Sequence, residues 1–348
     1  MNIIRRYVDE QAVASRDDIF AQFPDGEDAH HWATQRARLL NALGLTRFVL
    51  RGEERNQRTT ITFANAAGSN KHGLIPTNVL YNIGFDENII GTITYQPWEG
   101  NKPTPRIERL LDQESLRNWL GLPGPGAEAV ARNVENEWNR PNYTDCKRVV
   151  SLMSTPAPTM SAEEKVYDVG RTARRFKGLV DSFELNISCP NTHSDRDENV
   201  VLLEGLLGEL SWVPRLRIKL SPDAPAGYGA ILAVASHHPN VTGFVGFNTT
   251  RDYAAVGLGD KGYDKGGISG KILYPLALQR QRELVAEIDR GYSQKDWRLH
   301  VVGGIDSPET LLERIAAGDG RVAGAQLFTG LIYKGPGLLT QLRKAAAE

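Results

Sequence analysis

The chain has 348 residues, 41% of them hydrophobic and 24% charged, with a formal net charge of −1. That balance belongs to a folded globular protein with a sizeable core; near-neutrality without a Lys/Arg block gives no field for nucleic acid or an anionic membrane. Two cysteines, Cys146 and Cys189, supply no disulfide framework and no metal or redox pair, and no apolar run reaches the roughly 18 residues of a membrane-crossing helix. A cytoplasmic protein, at most peripheral to a membrane, is the expectation.

Residues 1–50 read as a small, amphipathic, helical N-terminal extension. Asp28 stands where a helix cap belongs, Trp32, Ala33, Leu39, Leu40 and Leu43 recur at three- and four-residue spacing, and Gly44 ends the pattern. Such a segment is either a packing appendage or a lid over a site. His30-His31 and His237-His238 are adjacent pairs whose members point to different helix faces, so they read as surface histidines. No metal site is expected.

The rest of the chain, 55–348, alternates short apolar runs with helical stretches. The runs cover 59–68, 89–94, 148–154, 182–189, 216–222, 241–248, 297–304 and 324–330, and helices are predicted near 161–178, 199–210, 226–237, 271–289 and 307–317. Near-continuous apolar runs between helices indicate parallel strands covered on both faces. Eight of them predict an α/β fold, a closed (β/α)8 TIM barrel rather than an open sheet. The Pro- and Gly-rich segment 95–125 reads as one long functional or disordered loop.

In such a barrel the site lies at the C-terminal ends of the strands. The runs end in Gly68-Ser69-Asn70-Lys71, in Thr92 and Thr94, in Asn186-Ile187-Ser188-Cys189-Pro190-Asn191, in Lys219, and in Asn248-Thr249-Thr250. The last two end in Gly303-Gly304 and Thr329-Gly330. Core packing has no use for such a ring of amides, hydroxyls, lysines and a thiol. Glycines after the last two strands, with Ser307 as cap and Pro308 in the first turn of the following helix, suit a backbone phosphate cradle. Cys189 reads equally well as an inert buried thiol or as a base. His193, in the polar loop 192–199, either closes over a substrate or is simply solvated.

The segments AAGSNKHG (66–73), IGTIT (90–94), GNKPTPR (100–106), NISCPNT (186–192), KLSPD (219–223), NTT (248–250), GGISG (266–270), VVGGIDS (301–307) and LFTGLIYKGPGLL (327–339) follow the order and spacing of the dihydroorotate dehydrogenases. The chain resembles that family over residues 60–345. The resemblance implies FMN as cofactor and oxidation of dihydroorotate to orotate in pyrimidine biosynthesis. Cys189 would be the general base, with hydride passing to the flavin N5.

It also implies flavin contacts at Gly68, Lys71, Thr92, Lys219, Ser269 and Gly270, a phosphate site at Gly303, Gly304, Thr329 and Gly330, and substrate contacts at Asn186, Asn191, Asn248 and Thr249. Cysteine as base is similar to the soluble classes that use fumarate or a nicotinamide. The AAGSNKHG segment and the N-terminal helices are more similar to the quinone class, so the electron acceptor stays open, as does a homodimer. By alignment, Gly124 in WLGLPGPG (119–126) stands where the family carries a substrate-binding asparagine. Two alternatives follow: a related but different ring substrate, or a non-catalytic FMN-binding barrel.

Overall fold

The computed structural model describes residues 16–42, 59–138, 145–187, 196–224 and 226–347. In chain order the helices and strands are α1 (Arg16–Gln22), α2 (Gly26–Ala42), β1 (Thr62–Asn65), α3 (Thr77–Ile83), β2 (Glu87–Ile93), β3 (Ile107–Leu110), β4 (Ser115–Asn118), α4 (Ala127–Trp138) and β5 (Lys147–Leu152). Next come α5 (Ala162–Arg175), β6 (Ser182–Asn186), α6 (Arg196–Glu209), β7 (Leu216–Leu220), α7 (Gly229–Ser236), β8 (Val241–Gly246) and β9 (Gly267–Gly270). The chain finishes with α8 (Tyr274–Gly291), β10 (Arg298–Val301), α9 (Pro308–Ala316), β11 (Val322–Leu327), α10 (Thr329–Lys334) and α11 (Gly337–Ala347).

Eight strands close a parallel barrel in the order β1-β11-β10-β8-β7-β6-β5-β2, and each coincides with one of the eight runs expected from the sequence. Along each strand, side chains alternate between the two faces. Phe183, Leu185, Ile218, Leu220 and Phe244 turn outward into the large core shared with the helices. Alternate positions turn into the barrel, where Ala64, Ile89 and Val149 form one small apolar cluster and Ala66, Val245 and Val302 another. The remaining interior is polar, with Ser182, Glu184 and Asn186 of β6 and Arg217 and Lys219 of β7 all buried.

Two expectations are corrected. Segment 95–125 is not one long loop: β3 and β4 pair as an antiparallel hairpin, and β4 pairs antiparallel with β9 some 150 residues later (Leu116 opposite Ser269, Asn118 opposite Gly267). Helix α2 begins at Gly26, so Asp28 lies in its first turn rather than at its cap. Leu39 is 51% exposed while Thr34 is buried, because this helix covers a cavity mouth instead of burying a continuous apolar stripe. Leu43 and Gly44 lie outside the described residues.

Candidate active site

One cavity of about 1160 Å³ opens at the C-terminal end of the barrel, between the strand ends, the β3-β4-β9 sheet and helices α1 and α2. It exceeds the usual volume of a site for one drug-sized molecule. Gly68, Lys71, Thr92, Asn186, Lys219, Asn248, Thr249, Ser269, Gly270, Gly303, Gly304, Thr329 and Gly330 all line it. The ring of strand-end residues expected from the sequence is therefore assembled around a single space. Cys189, Asn191 and His193 lie outside the described residues. The second cysteine, Cys146, is buried at the start of β5.

Local hydrogen bonds explain how the walls are held. After β1, Asn65 Nδ2 donates to Ser69 Oγ at 2.7 Å and to the Ile89 carbonyl at 2.8 Å, while its Oδ1 accepts from the Ile89 N–H at 2.9 Å. Gly68 N–H donates to the Gly91 carbonyl at 2.6 Å, and a Cβ at Gly68 would meet nothing within 4 Å. The backbone there faces open cavity. Asn186, ending β6, donates from Nδ2 to Thr92 Oγ1 at 3.2 Å, and Thr92 and Ser151 hydroxyls are 3.1 Å apart. Ser269 of β9 and Thr329 of α10 join their hydroxyls at 2.9 Å, closing the sheet onto the eighth strand end.

The turn after β10 has the expected form. Gly303 and Gly304 adopt φ of +99° and +79°, and a Cβ on Gly304 would lie 2.6 Å from Tyr274 Cα, so a side chain is excluded twice over. Ser307 caps α9 in a reciprocal capping box with Thr310, and Pro308 occupies the first turn. Arg314, fully buried on α9, donates to the carbonyls of Gly303 at 3.0 Å and Gly246 at 2.8 Å. Burial pulls its guanidinium down to about 10, and it stays charged at neutral pH. It straps the turn to the sixth barrel strand.

Four lysines line the cavity, and two of them, Lys71 and Lys219, stand at or just after the ends of barrel strands. Lys219 is 4% exposed, with Nζ 3.7 Å from Glu184 Oε1. Burial lowers the Lys71 ammonium below its ordinary value, opposed by the nearby Glu27 carboxylate and assisted by Arg106. A planar, electron-accepting ring with an anionic tail fits this donor set: one buried and one half-buried ammonium for charge, backbone open at Gly68 for close approach, and a glycine turn for a phosphate.

Several lining residues escape the sequence reading. Asn118, at the end of β4, and Asn101 carry amides into the lining; Asn118 Nδ2 donates to the Gly267 carbonyl at 3.4 Å and Asn101 Nδ2 to that of Trp119 at 2.8 Å. Gly124, placed by alignment at a substrate-binding position, instead bridges to Trp98 and lines a separate shallow cleft, outside the lining of this cavity. His30 and His31 both border the cavity; His31 is exposed, as a surface residue is, but the surface reading fails for His30, which is half-buried and whose imidazole desolvation, then Lys71, brings down to about 4. His237 is exposed and His238 approaches Glu204 at 3.1 Å, as surface residues do.

The outer cavity wall is apolar, with Ile19 and Phe20 of α1, Trp32 of α2 and Leu331 and Ile332 of α10. A bidentate ion pair fastens the helices over it: Arg106 donates to Glu27 at 2.7 and 2.6 Å. Arg109 stacks on Phe20 with its Cζ 4.4 Å from the ring centroid. Among the described residues no helix is long and apolar enough to cross a membrane.

Comparison with known proteins agrees with this architecture. The family model described as dihydroorotate dehydrogenase matches residues 55–347. Proteins named dihydroorotate dehydrogenase (quinone) from Brucella ovis and Brucella canis are each 32% identical over 290 residues, spanning 78% of this chain and 73% of theirs. The structure of DHODH from Eimeria tenella in complex with ferulenol superposes with a TM-score of 0.77 at 22% identity, covering 93% of this chain and 91% of that one. Its ligand-free form gives 0.75 at 22%, covering 91% and 93%. With its eight-stranded barrel and a family match over nearly all of the barrel-forming sequence, the chain belongs to the dihydroorotate dehydrogenase family, oxidoreductases acting on CH–CH groups.

Proposed function

We propose that this chain binds FMN in the barrel-end cavity, oxidises dihydroorotate to orotate and passes the electrons to a quinone. The observation that carries the reading is the convergence of two lysines, several amides and a glycine turn on one cavity of a family member. FMN, when bound, supplies the hydride acceptor. Asn186, Asn248 and Asn118, with Asn191, offer both donors and acceptors to a ring of alternating N–H and C=O groups. Lys219 and Lys71 stabilise negative charge that develops on reduction, and Gly303, Gly304, Thr329 and Gly330 hold the phosphate. Cys189, three residues beyond Asn186 in the chain, takes the proton from the carbon next to a carbonyl while hydride leaves the neighbouring carbon. The two C–H bonds break, and the C–C bond between those carbons becomes C=C.

A quinone is supported as acceptor by the apolar outer wall under α1 and α2 and by the relatives' names. The cysteine base alone leans toward a soluble acceptor. An anaerobic visible spectrum decides the first half: the flavin bands should bleach when dihydroorotate is added, and a flavin that stays oxidised refutes the substrate. Cys189→Ala should keep the yellow colour and lose at least ~100-fold in bleaching rate, the usual scale of a general base. Reoxidation of the reduced protein by a short-chain ubiquinone but not by fumarate is the expected second half.

A further inference from the structure

Just below the cavity floor, side chains from two other strands converge on a carboxylate of β6. Glu184 of β6 is 0% exposed. Its Oε2 accepts from Gln326 Nε2 of β11 at 2.7 Å, and its Oε1 lies 3.7 Å from Lys219 Nζ of β7. Lys219 and Gln326 reach the cavity lining and Glu184 does not. Glu184 Oε1 has no hydrogen-bond partner among the described residues. A carboxylate so placed is sustained only by a counter-charge. Arg217, two residues before Lys219, does not supply it, because Arg217 is spent on Glu87 at 2.8 Å and His300 at 2.9 Å, one layer further down the barrel.

The separation of 3.7 Å is too long for an N–H···O bond, so the pair attracts through charge. Lys219 therefore keeps its three donors for other partners. We propose that Glu184 is a positioning residue that anchors the Lys219 ammonium at the cavity floor and sets the net charge beneath the flavin at zero. This rests on the FMN reading above. Its consequence is electrochemical: a neutral pair favours the electron-rich reduced flavin less than a bare ammonium would, so Glu184 holds the flavin potential down.

The test is an anaerobic reductive titration of the FMN-loaded protein against a reference dye at neutral pH. Glu184→Gln preserves shape and the contact with Gln326, and should retain FMN with a raised midpoint potential. The expected rise corresponds to at least tenfold stronger binding of reduced over oxidised flavin, about 30 mV for a two-electron couple. Glu184→Asp, which restores the charge, should return the potential toward wild type; a purely packing role would not distinguish Asp from Gln in this direction. An unchanged or lowered potential in FMN-loaded Glu184→Gln overturns the proposal. If that variant does not fold, Glu184→Met, which also removes the charge at similar volume, is measured in its place and should likewise retain FMN with a raised potential; an unchanged or lowered potential overturns the proposal. Wild-type protein that takes up no FMN would instead sink the FMN reading itself.

Discussion

At the scale of single residues, His30 shows how a lining position differs from a surface one. Desolvation first, then the positive charge of Lys71, keep its imidazole neutral, with Glu27 opposing. The folded value of about 4 lies below the ordinary 6.5. The unfolded chain therefore binds the proton more readily, and stability present above pH 6.5 is lost as pH falls toward 4. Each pH unit of displacement is worth about 1.4 kcal/mol. Replacing His30 by Gln should remove on the order of 2 kcal/mol of that acid-side loss. Denaturant unfolding at pH 7 and pH 4.5 checks this; parallel losses in variant and wild type would place the acid sensitivity elsewhere, for example at His72, which burial also lowers.

At the scale of elements, the clamp between Glu27 of α2 and Arg106 beside β3 ties the N-terminal helices to the barrel-end sheet. Both side chains are largely buried, at 23% and 10% exposure, so the pair is worth more than a surface contact. Glu27→Ala should loosen α1 and α2 over the apolar wall. The expected result is a several-fold higher KM for quinone with dihydroorotate-driven bleaching unchanged; an unchanged KM would mean that the helices only pack. How far such features were legible depends on their range in sequence. The eight strands and the Ser307 cap are local patterns, and the periodicity reveals them. The pairing of β4 with β9 joins residues about 150 apart, so neither Asn118 nor the sheet it belongs to has a local signature. Ser182, Glu184 and Asn186 share the barrel interior, yet parallel strands buried on both faces read as continuous runs, and that hides which alternate residues turn inward.

At the scale of the whole molecule, the barrel divides its labour by height. The lower interior carries a self-compensated cluster of Arg217, Glu87 and His300, where burial and then Arg217 hold the imidazole well below its ordinary value. Above it lies the Glu184 layer, then the cavity floor, and finally the apolar wall under the helices. Polar groups that would burden an ordinary core are thus stacked beneath the one surface that uses charge. The Pro-rich segment and the N-terminal extension, distant in sequence, meet over that surface and complete its rim.

The burial of Cys146 gives the chain a practical asymmetry. A protein with two cysteines, one sealed at 0% exposure immediately before β5, offers a reagent at most one thiol while it stays folded. Stoichiometric alkylation under native conditions therefore becomes a titration of Cys189 alone, and denaturation should release the second equivalent. Orotate should slow that first equivalent at least severalfold if Cys189 belongs to the substrate site. Alkylation at the same rate with and without orotate, on flavin-loaded protein, would remove the cysteine from the site.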